Sequence, residues 1–407
     1  MSTNPSHNER VVSGMRPTGR LHLGHYHGVI KNWVEMQLNY ECFFFVADWH
    51  ALTTHYDDPS RTPEHVEDMV IDWLAAGISP SSATIFLQSE VPEHAELHLL
   101  LSMMTPIGWL ERVPTYKDQQ AKLREKDLAT YGFLGYPLLQ SADILMYKAD
   151  YVPVGEDQIS HIELTREVAR RFNYIYGREP DFEKRAEEAI SKMGKKNAKA
   201  YRNYRKAYQE QGDAEALEVA KALLESQQNI SVGDQERLFG YLEGISKIIL
   251  PEPQARLTPA SKMPGLDGQK MSKSYGNTIA LRDTPEDVQQ KMRKMPTDPA
   301  RVRLTDAGDP DKCPVWQFHV VYSDDKVQDW VQEGCRSAGI GCLECKQPVI
   351  DAVVNELTPM RDRAQEFEED RQLVRQIITD GSEAARDVAR ETLDDVVEAM
   401  RFSSFSR

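Results

Sequence analysis

An α/β fold with a parallel sheet of Rossmann type, a helical insertion and an all-α C-terminal domain is predicted by three features of this 407-residue chain. From Val11 to about Gly177, strand-like and helical stretches alternate, the pattern of a parallel sheet with helices on both faces. Between about Pro180 and Leu250 the composition turns to Ala, Lys, Glu and Gln, as in a surface helical segment. From Thr284 onward the chain reads as long charged helices, Val349 to Phe367 and Arg371 to Met400 among them. The expected divisions are 1–179 for the first part of the sheet domain, 180–249 for the insertion, 250–283 for the return and 284–407 for the C-terminal domain.

Taken in order, the apolar run Val11-Val12-Ser13 predicts a first strand, closed by the turn Gly14-Met15-Arg16-Pro17-Thr18-Gly19. Val29, Ile30, Trp33, Val34 and Met36 recur at helical spacing, so a helix should begin near His22. Glu41 to Ala47 and Thr84 to Gln88 read as strands, and Glu64 to Ala76 as an amphipathic helix. Helices follow near Glu93 to Met104, Pro137 to Tyr147 and Gln158 to Phe172. Pro285, followed by Glu286 and Asp287, starts another. In such a sheet the ligand lies beyond the carboxyl ends of the strands, where the first glycine turn sits. No internal repeat or low-complexity tract interrupts the pattern.

Hydrophobic content of 40% and charged content of 28% describe an ordinary globular chain. Met1 to Arg10 is polar, and no apolar run approaches the roughly 18 residues of a membrane span. A cytoplasmic protein without a membrane partner is therefore expected. The net charge of −15 argues against general nucleic-acid affinity, DNA included. It leaves room for one structured RNA held by local basic patches.

Two loops carry the chemistry. Gly265 to Asn277 contains Lys270-Met271-Ser272-Lys273-Ser274, two cations three residues apart between Gly265, Gly268 and Gly276. Free backbone N–H groups and mobile lysines suit a polyphosphate; a lone pair so spaced would be a solvated basic turn. Upstream, His22-Leu23-Gly24-His25 stands where a strand, a glycine turn and a helix N-terminus form an anion site. Gly24 lets a nucleotide lie against the backbone. A third block runs Tyr-Pro-Leu-Leu-Gln-Ser-Ala-Asp-Ile-Leu-Met-Tyr from Tyr136, then Val152-Pro153-Val154-Gly155-Glu156-Asp157-Gln158, then His161-Ile162-Glu163-Leu164. There Asp143 sits amid Leu139, Ala142, Ile144 and Leu145, costly for a carboxylate without a partner. It either points to water from a helix face or accepts one donor from an apolar substrate.

The Lys-Met-Ser-Lys-Ser loop and the His-Leu-Gly-His turn resemble the two signatures of class I aminoacyl-tRNA synthetases, and the third block resembles the tryptophanyl-tRNA synthetases almost residue for residue. The resemblance covers roughly Val11 to Gly177, Pro251 to Asn277 and, more loosely, the C-terminal helices, which it makes an anticodon-binding domain. It implies activation of tryptophan by ATP and Mg²⁺ to tryptophanyl-adenylate and pyrophosphate, then transfer to tRNA(Trp), by a homodimer. His22, His25, Lys270, Ser272 and Lys273 would be catalytic, stabilising the phosphorus centre and departing pyrophosphate. Arg16, Thr18, Gly24, Lys117, Gly155, Asp157 and Met271 would bind ATP. Asp143 would accept the indole N–H, with Gly14, Tyr136, Gln140, Val152, Val154 and Gln158 completing the tryptophan site. Gln140 and Arg16 depart from many bacterial members, which carry Met and Gln there. A Gln beside the Asp is also similar to tyrosyl-tRNA synthetases, the alternative specificity. A catalytically silent relative acting as a binding protein is a further alternative, and a different nucleotidyl transferase would lack the lysine loop.

Two stretches remain. Cys42 falls in an apolar strand, whereas Cys313, Cys335, Cys342 and Cys345 cluster with 21, 6 and 2 residues between them. In a reducing compartment that spacing suggests a metal or an iron–sulfur cluster. A subset of the tryptophanyl-tRNA synthetases carries a [4Fe–4S] cluster on similar spacing, so that is the expected group, with zinc as the alternative. From Lys184 to Lys206 basic residues outnumber acidic ones, with Tyr201, Tyr204 and Tyr208 interleaved. The tyrosines either pack inward or leave a basic, stacking face for tRNA.

Overall fold

Phe43, Phe44, Phe45 and Val46 form a run of large apolar residues that only a strand covered on both faces can bury. In the computed structural model, which describes residues 9–114, 130–177, 181–227, 229–244, 248–257 and 263–401, that run is β2 (Glu41–Val46). It lies in a five-stranded sheet ordered β3-β2-β1-β4-β5. The other strands are β1 (Arg10–Met15), β3 (Ala83–Leu87), β4 (Tyr151–Val154) and β5 (Gln254–Leu257). β1 pairs in parallel with β2 and β4, and β2 with β3. The expected parallel α/β sheet is present.

The chain divides into two compact units, residues 1–92, 151–159 and 255–386 in one, and 93–150, 160–254 and 387–407 in the other. In the first unit, Val11, Phe44 and Ile85 of the sheet share one core with Trp33, Trp73, Met271, Val353 and Leu357. The sheet and the helices after Thr284 therefore draw on the same buried apolar surface. The helix Thr62–Ala76 packs against Cys342–Glu369, and Trp33 stacks on Phe44 with ring centroids 4.4 Å apart. Pro285 starts its helix as expected, at the first helical position, with Thr284 and Asp287 forming a reciprocal cap.

β3 is one of the two edge strands. The helix Arg371–Ala399 covers it: the Leu87 N–H donates to Ser382 Oγ at 3.2 Å, removing a free edge donor. That close approach requires Gly381, because a Cβ there would stand 1.9 Å from the Ile85 carbonyl oxygen.

The second unit is helical. Glu93–Ser102 packs along Tyr131–Met146, and Leu97, Leu101, Phe133, Leu138, Ile162 and Phe172 are buried. The helix expected from Pro137 begins six residues earlier. Thr130 caps it by accepting from the Phe133 N–H at 3.2 Å, and Pro137 lies inside it. Asn173 fastens the returning chain, donating to the Leu250 carbonyl and accepting the Ile249 and Leu250 N–H groups. The helices Phe182–Lys192, Lys195–Gln211, Ala214–Glu225 and Val232–Glu243 form a bundle with its own core. Tyr201 lies in that core, donating to the Leu238 carbonyl at 2.6 Å, so it packs inward. Among the described residues no helix is long and apolar enough to cross a membrane.

Gly381→Ala should destabilise the chain by about 1–3 kcal/mol through overpacking against backbone that has no rotamer to yield. Urea unfolding followed by near-ultraviolet circular dichroism checks this; an unchanged midpoint would show that helix and strand separate at no cost.

Candidate active site

β1 ends at Met15, and the chain turns through Gly19 (φ 79°) before a helix starts at Leu23–His25, widens through a π turn over Tyr26–Ile30 and resumes over Lys31–Met36. The spacing of His22 and His25 is a capping spacing: the His22 N–H donates to His25 Nδ1 at 3.3 Å. The His25 proton therefore sits on Nε2. The two rings lie 3.8 Å apart, and His22 Nδ1 is buried without a hydrogen-bond partner among the described residues. Gly24 leaves room between them and the lysine loop, since a Cβ would meet the His22 ring at 3.0 Å and Met271 Cβ at 3.3 Å.

Burial, and then Lys273, lowers His22 to about 4. Burial lowers His25 to about 3, with His22, Lys273 and Lys270 adding to it. Both imidazoles are neutral at physiological pH and offer N–H groups. Fixed positive charge comes from Lys270 and Lys273, both exposed.

The lysine loop, 245 residues beyond His25, reaches the same place. Lys273 Nζ donates to the Thr18 carbonyl and lies 3.4 Å from Thr18 Oγ1. Although the residue as a whole is exposed, desolvation of the ammonium end against Thr18 holds Lys273 below the usual lysine value, against the pull of Asp72 and Asp68. Ser272 and Ser274 hydroxyls bond at 2.9 Å, while the Met271 side chain is buried in the core. Asn277, 3% exposed, shapes the loop from beneath. Its Oδ1 accepts the Ser272 N–H at 2.8 Å, and its Nδ2 donates to Asp267 Oδ1 at 2.7 Å and the Lys270 carbonyl at 3.2 Å.

Backbone pairing joins the two stretches: His22 bridges Ala280, the Leu23 N–H donates to the Ile279 carbonyl, and the Leu281 N–H to the Leu21 carbonyl. Asp72, fully buried, accepts the Leu21 N–H on one oxygen and Arg282 Nε on the other, at 2.5 and 2.8 Å. The structure thus gathers His22, Gly24, His25, Thr18, Lys270 and Lys273. Arg16 is exposed on the same turn. Gly14 borders Phe45, whose ring would be 2.4 Å from a Cβ there. Lys117 lies outside the described residues.

β4 carries Val152 and Val154, both buried, and is followed by Gly155. Asp157 is exposed and accepts from Gln158 Nε2 at 3.1 Å. In the second unit, Tyr136, Gln140 and Asp143 fall on one face of the helix Tyr131–Met146. Asp143 is fully buried, and its partner is a residue the sequence reading missed: His94 Nδ1 lies 2.6 Å from Asp143 Oδ1. His94 Nε2 in turn lies 2.7 Å from the Tyr147 hydroxyl. His94 comes 49 residues before the Asp, so only the fold reveals the pairing.

Cys313, Cys335, Cys342 and Cys345 lie near one another. Cys345 is pushed up to about 12 by burial and by the other three thiols. Arg301 Nη1 stands 3.9 Å from Cys335 Sγ, and Lys346, 3% exposed, supplies another cation close by. Gly308 makes space there, since a Cβ would lie 2.7 Å from Cys335 Sγ. Among the described residues no three His, Cys, Asp or Glu side chains are placed to hold a single metal ion.

A family model described as tRNA synthetases class I (W and Y) matches residues 4–210 and 216–358. The chain belongs to that family. A tryptophan–tRNA ligase of Ralstonia nicotianae is 68% identical over 392 residues, covering 96% of this chain and 98% of that protein. One from Thermotoga maritima is 43% identical over 393 residues with the same coverage. Among solved structures, the tryptophanyl-tRNA synthetase of Campylobacter jejuni complexed with ADP and tryptophan matches with a TM-score of 0.71 and 27% identity. That match covers 97% of this chain and 100% of the other. This class I synthetase thus has its two signature loops in one place within the first unit.

Stability should fall as pH drops from about 6.5 towards 4, because the unfolded imidazoles of His22 and His25 take up protons that the native ones do not. Urea midpoints at pH 7 and 5 check the sign. In His25→Asn the loss between these pH values should shrink by roughly 1 kcal/mol; an unchanged loss would mean that the native imidazole titrates normally.

Proposed function

We propose that this chain is a tryptophan–tRNA ligase, acting in the cytoplasm as a homodimer. It joins tryptophan to ATP as tryptophanyl-adenylate, releasing pyrophosphate, and passes the tryptophan to tRNA(Trp). The observation that carries the reading is the meeting of His22, His25, Lys270 and Lys273 at one helix N-terminus, tied by Lys273 to Thr18, in a chain 68% identical to a tryptophan–tRNA ligase.

The tryptophan carboxylate attacks the α-phosphorus of magnesium-bound ATP, the bond to pyrophosphate breaks, and no protein nucleophile is needed. Catalysis is positioning and charge stabilisation. The neutral His22 and His25 donate hydrogen bonds to phosphoryl oxygens, and the two lysines follow the charge moving onto pyrophosphate. Ser272, Arg16, Thr18 and Gly24 complete the phosphate side, with Met271, Gly155, Asp157 and Lys117 on the rest of the nucleotide. Asp143 accepts the indole N–H, and His94 fixes its carboxylate in place. Gly14, Tyr136, Gln140, Val152, Val154 and Gln158 form the remainder of the amino-acid site. Phenylalanine, which brings no N–H to the Asp143 carboxylate, forgoes that hydrogen bond and is discriminated against without editing.

ATP–pyrophosphate exchange assayed with all twenty amino acids tests the reading. Exchange should depend on tryptophan alone and fall at least about a hundredfold in Lys273→Ala. Exchange driven by tyrosine instead, or by none, would sink it.

The spacing of the four clustered cysteines, with 21, 6 and 2 residues between them, supports a [4Fe–4S] cluster, with zinc as the alternative. Cys313, Cys335, Cys342 and Cys345 would hold it, with Arg301 and Lys346 offsetting the thiolate charge. The cluster would brace the helices around it. Protein purified without oxygen should contain about four irons per chain, and Cys342→Ser should lose them. Zinc, or no metal, in the wild-type chain would overturn the assignment.

A further inference from the structure

The four-helix bundle of the second unit has a cleft of about 950 Å³ beside its core. Tyr174, Phe182, Tyr208 and Tyr241 contribute rings to its wall, which also carries Arg205, Gln209 and Lys184 and the carboxylates of Asp181, Glu183 and Glu243. The Arg205 guanidinium lies over the Tyr241 ring, 3.7 Å from its centroid, while its Nε donates to the Tyr241 carbonyl at 2.8 Å. Gln209 Nε2 donates to the Leu242 carbonyl at 3.1 Å. These bonds satisfy the end of the helix Val232–Glu243 and hold a flat cation–aromatic pair in one orientation. Rings, a fixed guanidinium plane and amide groups in one cleft are what an unpaired nucleobase stacks on.

The helix that supplies Arg205, Tyr208 and Gln209 also carries a basic stripe. Lys195, Lys199, Arg202 and Lys206 recur at steps of four, three and four, so they share one face over about 16 Å. All four are exposed. Arg202 pairs with Glu187 at 2.6 Å and Lys206 with Glu210 at 3.8 Å. Among the described residues Lys195 and Lys199 have no carboxylate partner. This local excess of positive charge stands in a chain of net charge −15.

We propose that the bundle is an RNA-docking module. The cleft takes one unpaired base against the Arg205–Tyr241 pair and Tyr208, and the stripe follows the phosphates of the same strand. The occupant is the enzyme's own tRNA, so the inference rests on the function proposed above. An acidic peptide would use the stripe and leave the ring-lined cleft empty; an RNA strand uses both.

Two variants of the full chain separate the parts: Tyr208→Ala in the cleft, and Lys195→Ala with Lys199→Ala on the stripe. Binding of a tRNA(Trp) transcript is followed by fluorescence anisotropy between about 50 and 200 mM salt, with tryptophan-dependent ATP–pyrophosphate exchange in parallel. Tyr208→Ala should weaken binding roughly tenfold and keep the salt dependence. The lysine pair should lower the slope of log affinity against log salt by about 0.7 per lysine. Exchange needs no tRNA and should stay at the wild-type rate in both. Undiminished tRNA binding by both variants overturns the proposal and leaves the stripe to an acidic protein. If Tyr208→Ala fails to fold, the lysine pair, both of whose side chains are exposed, decides alone. Wild-type chain that binds tRNA yet exchanges nothing would reject the function while leaving the docking module standing.

Discussion

Arg282 is 6% exposed and touches three carboxylates, Asp72, Asp68 and Glu368. Asp72, on the helix Thr62–Ala76, holds the Leu21 N–H with the oxygen that Arg282 leaves free. One buried ion pair thus grips the residue before the histidine turn and, through Arg282, the strand-like segment that follows the lysine loop. Burial drives Asp72 up to about 6 despite the guanidinium beside it, so desolvation is a large cost at this site. Such a pair contributes little net stability. What it fixes is register: an apolar contact tolerates sliding by a residue, and a carboxylate shared between an N–H and a guanidinium does not. Distances of a few ångströms between Lys273, Thr18 and the imidazoles depend on that register.

The charges in the site follow from the same burial. An imidazolium pair 3.8 Å apart beside two lysines would repel itself, and removal from water adds to the cost. Neutral imidazoles resolve the conflict, because they lose little on burial and still donate. The lysines stay near solvent, where charge is cheap, and only their ammonium ends need to reach the phosphates. The division explains why the histidines sit on a helix held by caps and backbone bridges while the lysines sit on a loop.

How much of this was legible in the sequence depended on how local each feature is. Unlike the short strands β4 and β5, the first three strands, the helix behind the glycine turn, the capped start at Pro285 and the two long C-terminal helices all announce themselves through neighbours a few residues apart. So did the two loops, whose residue types suit their chemistry. His94, Asn277 and the Asp72–Arg282 pair did not. Each acts on a partner reached only by folding, the last across 210 residues, and no spacing rule marks them. Pro137 misled in the opposite way. A proline read as a helix start lies inside the helix, because Thr130 supplies the cap earlier. Tyr201 and Tyr208 look alike in sequence, and only packing separates the core ring from the one at the cleft.

The acidity of the whole chain and the basic helix Lys195–Gln211 are complementary rather than opposed. Six of that helix's side chains, Lys195, Lys196, Lys199, Arg202, Arg205 and Lys206, are basic against one acidic, Glu210. A surface negative elsewhere repels nucleic acid that approaches at random, and the repulsion acts over roughly the 8–10 Å Debye length of physiological salt. Only an RNA whose shape brings its backbone to the stripe, while its bulk stays clear of the acidic surface, gains more than it loses. A uniformly basic protein would bind every RNA in the cell more tightly and distinguish among them less. Concentrating basic residues on one helix and one catalytic loop therefore turns a weak electrostatic attraction into a test of geometry.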